Sequence, residues 1–420
     1  MNRCYEYPFD RIENLDSEYL IATYLVYGLE LKDALSKISN FAIGQTIGTW
    51  VKLPGITDYM VQNYQARVIG FYEIPGADEV LFILKVAFPM VNFSSSFALM
   101  LTALVGNDVS TALRTKLIDI ELTSNSTKIF KGPNKPIRKL RRITNTYNRP
   151  LILNMIKPCT GFSPKEGAKL FYDVALGGVD LIKDDELLGS PSYNKVCDRI
   201  IEYNKAANSA FEITGKKTVY IPNITDKPSK MIENAKAAID AGAKACMINF
   251  VFAGLDTLSE ICDRFSNELF IMAHYAGVGV MNWEKGGISN QVYLATLPRL
   301  AGADAVMTMF PKETDASALL DFYKTIQAQK LNMAGIDPII TAVGGGITPI
   351  DLERIYKNLG NDIIIGVGGA IQGHPNGSTA GAKATMTALN AAVTGLSLNE
   401  AAKSCENLKV AIKTWKGDNN

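Results

Sequence analysis

The chain has 420 residues, more than one compact core usually organises, so two domains are expected. Apolar residues make up 47% and charged residues 20%, which excludes a disordered chain. Lys+Arg 43 against Asp+Glu 42 leaves a net charge of +1, giving no electrostatic reason to expect nucleic acid or an anionic membrane as partner. No apolar run reaches the length of a membrane span, and the opening MNRCYEYPFDRIENLD has no signal-peptide core. The six cysteines form no CxxC pair and read as reduced thiols, so a cytoplasmic protein is expected.

In chain order, the first elements are short alternating or apolar runs (YLIATYLVYG, RVIGFYEI, EVLFILKVAFP) with a helical stretch at LKDALSKISNFAIG. This mixture predicts an N-terminal α+β domain over residues 1–145 with a largely antiparallel sheet. The basic stretch KGPNKPIRKLRRITNTYNRP follows; its charge run could hold phosphate groups, but a solvated linker is the commoner explanation. Residues 146–420 then alternate strands with helical patterns such as PKEGAKLFYDVALGG and SKMIENAKAAIDAGA. The strands read LILNMIKP, VDLIKDDE, TVYIPNIT, AKACMINFVF, LFIMAHYA, ADAVMTMF, PIITAVGGG and DIIIGVGG. A doubly wound sheet would alternate in the same way, but eight units in this length favour a closed (β/α)8 TIM barrel in an α/β fold. The tail NEAAKSCENLKVAIKTWK predicts a final amphipathic helix.

The densest polar cluster is GGVDLIKDDE, at the end of the second barrel strand. Alternation along a strand points Lys183 and Asp185 to one face and Asp184 to the other, with Glu186 free to turn toward the same cavity. Such a set is either an ion pair supporting the barrel mouth or a site for a hard cation such as Mg²⁺. For the second reading Lys183 must first react with CO₂, because a protonated lysine is no ligand whereas a carbamate supplies an anionic oxygen. Lys157, closing the first strand, would face the same mouth or stand at the surface. Gly344, Gly345 and Gly346 end the seventh strand and Gly368 and Gly369 the eighth, where barrels commonly bind phosphate, although glycines there also make tight turns. With only two histidines, a His-cluster mechanism is excluded; His274 ends the fifth strand, and His374 reads as a turn residue. Cys159 has no evident activating partner and reads as an inert thiol.

GGVDLIKDDE closely resembles the carbamylated-lysine metal motif of the RuBisCO large-chain family, and TIGTW (46–50), LVGND (104–108), NMIKP (154–158), MAHYA (272–276), VGGGI (343–347) and GVGGAIQGHPNG (366–377) resemble further family segments in the same order. The resemblance implies a homodimer whose active sites are shared between antiparallel subunits. It also implies Lys183 as the carbamate, with Asp185 and Glu186 joining it on Mg²⁺. Lys157 becomes a proton-shuttling catalytic lysine and His274 an active-site histidine. Thr49 and Trp50 match residues that reach the substrate phosphate from the partner subunit, and Asn107 matches one that contacts substrate near the metal.

The family pattern breaks at informative places. Cys159 stands where true carboxylases keep a second lysine. Tyr275, Met307 and Gly344 replace an arginine, a histidine and a serine that hold the second phosphate of ribulose bisphosphate. Without the guanidinium and imidazole, a buried dianion would lose several kcal/mol of charge-assisted bonding. The loop FPKETDAS is shortened relative to the family's mobile lysine loop, and Lys312 lies in it. These departures predict a RuBisCO-like protein, an isomerase or lyase that forms an enolate from a phosphorylated keto-sugar or keto-sugar acid. The methionine-salvage enolase of 2,3-diketo-5-methylthiopentyl-1-phosphate is an alternative, although those enolases carry a lysine base where this chain has Asn107. A non-catalytic sugar-phosphate-binding protein is the alternative of another class.

Overall fold

The structure, a computed structural model, describes residues 18–29, 31–49, 51, 53–77, 79–311, 315–333 and 335–416. Alternating burial along β1 (Tyr19–Tyr27) marks a strand with one face on a core and one toward solvent. It lies between β3 (Leu81–Pro89) and β4 (Arg114–Leu122), antiparallel to both, and β2 (Arg67–Glu73) pairs with the far side of β3. The expected helix forms at Leu31–Gly44. Rows of buried Leu20, Ala22, Tyr24, Phe82, Leu84 and Val86 pack beneath this sheet.

All eight barrel strands read from the sequence are present. They are β5 (Leu151–Met155), β6 (Leu181–Lys183), β7 (Val219–Ile221), β8 (Ala245–Ile248) and β9 (Phe270–Ala273), then, after a hairpin of β10 (Asn282–Trp283) and β11 (Gly286–Ile288), β12 (Ala305–Met309), β13 (Ile340–Gly344) and β14 (Ile363–Gly366). Their order, β7-β6-β5-β14-β13-β12-β9-β8, is parallel throughout, and the ring closes where Met247 donates to Pro222 O and Ile224 to Met247 O. Leu153, Leu181, Ile221, Met247, Met272 and Ile364 fill the interior, while the alternate residues Ile152, Ile182, Ile248 and Ile365 pack outward in the larger core. Helix starts are set locally: Ser163 and Glu166 form a reciprocal cap on Pro164–Ala175.

Two segments differ from the sequence reading. The basic stretch is not a solvated linker: Pro136–Thr144 is a helix whose Leu140 joins the barrel-interior cluster, flanked by Ile137 and Ile143. Lys139 donates to both oxygens of buried Asp304 at 2.8 Å, and Arg141 reaches Asp362 at 3.0 Å. Those carboxylates stand at strand starts, so the helix closes the barrel floor. The tail forms two helices, Leu398–Lys403 and Glu406–Lys416, instead of one. The β10–β11 hairpin, which the sequence reading did not single out, leaves the barrel and adds to the N-terminal sheet, β11 running parallel to β4.

Candidate active site

Lys183 ends β6 with its side chain wholly buried at the C-terminal mouth of the barrel. An ammonium has three protons to place, yet among the described residues this one reaches Asp184 O at 2.9 Å and otherwise only Glu186 Oε2 at 3.8 Å. Burial pulls its pKa down to about 8; the carboxylates of Glu186, Asp185 and Asp184 prevent a deeper fall.

The alternation of the motif separates two neighbouring aspartates. Asp184 points away from the barrel axis and is saturated: it accepts from Arg199 Nε at 3.2 Å and Nη2 at 3.0 Å, Tyr220 OH at 2.6 Å and the Asn223 amide at 2.8 Å. Arg199 is itself buried and uses its remaining protons on Asn194 O, Asn194 Oδ1 and Gly189 O. Asp185 faces the mouth. Its Oδ2 accepts from Lys157 Nζ at 2.5 Å and its Oδ1 from the Leu187 amide at 3.1 Å. Burial would raise its pKa, but the Lys157 and Leu187 hydrogen bonds and the charges of Lys157 and Lys183 hold it below the ordinary carboxylate value.

Lys157 also donates to Cys159 Sγ at 3.2 Å. An apolar surround would lower the pKa of this lysine, but its two hydrogen bonds act the other way. Burial does act downward, but the side chain is 40% exposed and the contacts with Asp185 and Cys159 win, so the amine is held protonated.

His274 is buried against Tyr275, ring centroids 5.0 Å apart. Its Nδ1 accepts the Ala276 amide at 3.2 Å, which leaves the proton on Nε2, 3.6 Å from Glu186 Oε2. Burial first, then the Lys183 charge, lowers its pKa to about 2, so the ring is a neutral donor toward Glu186.

The loop carrying Asp185 and Glu186 is pinned by residues that the sequence reading missed. Asn223 Nδ2 donates to Glu186 O at 3.1 Å and Asn249 Nδ2 to the same oxygen at 2.8 Å. Asn249 Oδ1 is buried with no partner among the described residues. Asn154 plays the same part for the glycine loop after β14: it donates to Val367 O at 2.8 Å and accepts from Gln372 at 2.9 Å. Asn223 and Asn249 follow barrel strands with no local motif to announce them; Asn154, within β5, opens the NMIKP segment, but nothing in that segment marks its tether to the glycine loop.

Gly344 ends β13, and Gly345 and Gly346 follow at φ +98° and +70°, open to solvent. Gly368 and Gly369 follow β14. The amides of Gly345, Gly346 and Gly368 donate to no described backbone or side-chain acceptor. A Cβ on Gly344 would lie 2.9 Å from Met307 Cε, so the methionine fills the space a larger residue there would need. Beside this lies a cavity of about 900 Å³ lined by Tyr275, Met309, Phe310, Asp315, Asp321 and Gly345 among others; none of its described lining residues is cationic.

Thr49 and Asn107 are not at this mouth. They line a separate cavity of about 700 Å³ in the N-terminal domain, with Gln45 and Asp108. Trp50 and Lys312 lie outside the described residues.

The donor set can be tested against a metal directly. Among the described residues no three His, Cys, Asp or Glu side chains gather around one point, so the unmodified side chains make no complete centre. Asp185, Glu186 and a carbamate on Lys183 would supply three anionic oxygens, and an under-bonded buried amine stands where that carbamate must form. The residues fit Mg²⁺ on that condition.

A β/α barrel fused to an N-terminal mixed sheet, with a buried lysine and two carboxylates at its mouth, defines the class of protein. The family described as ribulose bisphosphate carboxylase large chain, catalytic domain, matches residues 136–415, and its N-terminal domain matches residues 13–125. The chain is 34% identical over 407 residues to a ribulose bisphosphate carboxylase-like protein of Archaeoglobus fulgidus, covering 93% of this chain and 92% of that one. It is 33% identical to a 2,3-diketo-5-methylthiopentyl-1-phosphate enolase of Geobacillus thermodenitrificans, covering 94% and 98%. The fold superposes on the octameric ribulose-1,5-bisphosphate carboxylase/oxygenase of Pyrococcus horikoshii with a TM-score of 0.89 at 27% identity, over 98% and 96% of the chains. This chain belongs to the RuBisCO large-chain family.

Proposed function

We propose that this family member is a RuBisCO-like enzyme that forms an enolate from a monophosphorylated keto-sugar or keto-sugar acid, leading to isomerisation or decarboxylation, and that it does not carboxylate ribulose bisphosphate. The observation that carries this reading is the distal cavity. Met307 occupies the space beside Gly344, Tyr275 stacks on His274, and the described charges on the cavity wall are the carboxylates of Asp315 and Asp321. A second phosphate there would meet repulsion in place of charge-assisted donors.

In this reading Lys183 reacts as the neutral amine with CO₂, releasing a proton and becoming a carbamate that joins Asp185 and Glu186. A Mg²⁺ ion held there would supply Lewis acidity to the substrate carbonyl. Asn223 and Asn249 keep the Glu186 backbone in place, and His274 offers Nε2–H toward the same carboxylate. In decarboxylation the enolate forms as CO₂ leaves, and Lys157, held protonated by Asp185, gives its proton to the carbon beside the carbonyl; in isomerisation a carbamate oxygen on Lys183 would first take the proton from that carbon and Lys157 would return one. The open amides of Gly345, Gly346 and Gly368, on the loops after β13 and β14, hold the single phosphate; Gly345 and Gly346 also border the distal cavity, whose Asp315 and Asp321 carboxylates oppose a second one. Thr49, Trp50 and Asn107 act on a partner subunit's barrel in a homodimer, which accounts for Thr49 and Asn107 lining a cavity of their own.

The methionine-salvage enolase is the second reading, favoured by the Geobacillus relative and opposed by Asn107 in place of that group's lysine base. A silent sugar-phosphate binder would have no use for Lys157 set against Asp185.

The test incubates the protein with Mg²⁺ and bicarbonate in D₂O with ribulose 5-phosphate as a monophosphorylated probe. Deuterium should enter the carbon next to the carbonyl, and Lys157→Met should slow this by roughly 10²–10⁴ while preserving ligand binding. Fixation of labelled CO₂ onto ribulose bisphosphate would overturn the reading.

A further inference from the structure

We infer that the floor of the barrel carries a second ligand site, built for a nucleoside triphosphate, on the outward face of helix Pro136–Thr144. The helix has two kinds of cation. Lys139 and Arg141 are spent on Asp304 and Asp362. Lys135, Arg138 and Arg142 are exposed, and none has a carboxylate within ion-pair distance among the described residues. Arg138 and Arg142, at i and i+4, share one helical face, and Lys135, the N-cap residue, stands just ahead of the first turn. In a chain of net charge +1, such crowding is a local construction that costs like-charge repulsion unless an anion relieves it.

The three cations border a cavity of about 730 Å³ that Ser266, Asn267 and Asp362, whose carboxylate is taken up by Arg141, also line. That volume falls within the range of small-molecule sites, and a balanced net charge argues against a nucleic-acid track. A rise of 1.5 Å per residue sets Arg138 and Arg142 about 6 Å apart along the axis, with Lys135 ahead of them, a gap that long side chains close onto a run of phosphates. At the rim stands Tyr147, its ring 59% exposed, where a nucleobase can stack. Asn134 and Asn267 add neutral hydrogen-bonding groups. The neighbouring Asp362 precedes β14, so the site lies at the N-terminal ends of the barrel strands, away from Lys183 and its carboxylates.

The test is calorimetric titration of the full chain with ATP, inorganic tripolyphosphate and a mixed-sequence single-stranded DNA, at low salt with EDTA present. ATP and tripolyphosphate should both bind, and Arg138→Gln with Arg142→Gln should weaken each by roughly tenfold or more. Tyr147→Ala should weaken ATP alone, and Lys183→Ala, at the opposite end of the barrel, should change neither. All three floor positions are exposed, so these variants should fold as the wild type does, which a matching melting temperature checks. Absence of binding, binding that survives the double substitution, or DNA bound more tightly than ATP would overturn the site. Equal affinity for ATP and tripolyphosphate, unmoved by Tyr147→Ala, would overturn the nucleoside part of the assignment.

Discussion

The two ends of the barrel use the same residue types to opposite effect. At the floor, Arg149 grips Asp180 through two hydrogen bonds of 2.7 and 2.8 Å, and Lys139 holds both oxygens of Asp304. At the mouth, Lys183 and His274 stand 3.8 and 3.6 Å from Glu186, too far for a hydrogen bond. Paired charges at the floor fix strand starts; at the mouth Lys157 pairs tightly with Asp185, but Lys183, the neutral His274 and Glu186 stand apart and leave valences that a cation and a substrate can use. Within one motif the two aspartates also part: Asp184 is saturated by the buried Arg199 and Tyr220, while Asp185 faces the mouth and pairs with the partly exposed Lys157.

The largest expected effect comes from the slackest group. Lys183→Ala should abolish the tightening of Mg²⁺ binding by bicarbonate and reduce turnover to background, measured by calorimetry and steady-state assay. In the wild type the rate of CO₂ activation should rise about tenfold per pH unit below the Lys183 pKa of about 8 and level off above it, because the neutral amine is the reacting form. A Mg²⁺ affinity indifferent to CO₂ would erase the distinction between the two ends. Next, Lys139→Met strands the buried Asp304 carboxylate and should cost roughly 3–5 kcal/mol of stability by denaturant unfolding. The Mg²⁺ response of the surviving folded protein should be unchanged; a shifted response would mean that the floor tunes the mouth. Smallest is Asn249→Ala, which frees one tether of the Glu186 backbone. It should weaken Mg²⁺ by roughly 10–100-fold with little change in melting temperature. A large stability loss there would class Asn249 with the floor residues.

What the sequence disclosed follows from how local each signal is. The barrel strands were readable because each is a short apolar run followed by a helical pattern, and the cluster of Lys183, Asp185 and Glu186 stood out because it falls within one short stretch of sequence. Arg199, Asn223 and Asn249 were not, since each acquires its meaning from a partner on another strand or helix. The floor helix was misread through its charge: Ile137, Leu140 and Ile143 lie at helical spacing, but basic residues dominate the stretch. The protonation of Lys157 rests on contacts with Cys159 and, across strands, with Asp185, and the second of these sequence spacing cannot reveal.

The hairpin that leaves the barrel to join the N-terminal sheet has a consequence during synthesis. Ser289 donates to Leu117 O and Ile118 O, Lys116 to Trp283 O, and Lys285 pairs with Glu79, so β4 is finished by residues up to 171 positions downstream. At ribosomal rates of about 5–20 residues per second, that edge stays uncovered for roughly 10–35 seconds. An unpaired strand is a template for aggregation. The charged residues Arg114, Lys116, Asp119 and Glu121, interleaved along β4, act as guards on the nascent chain until the hairpin arrives.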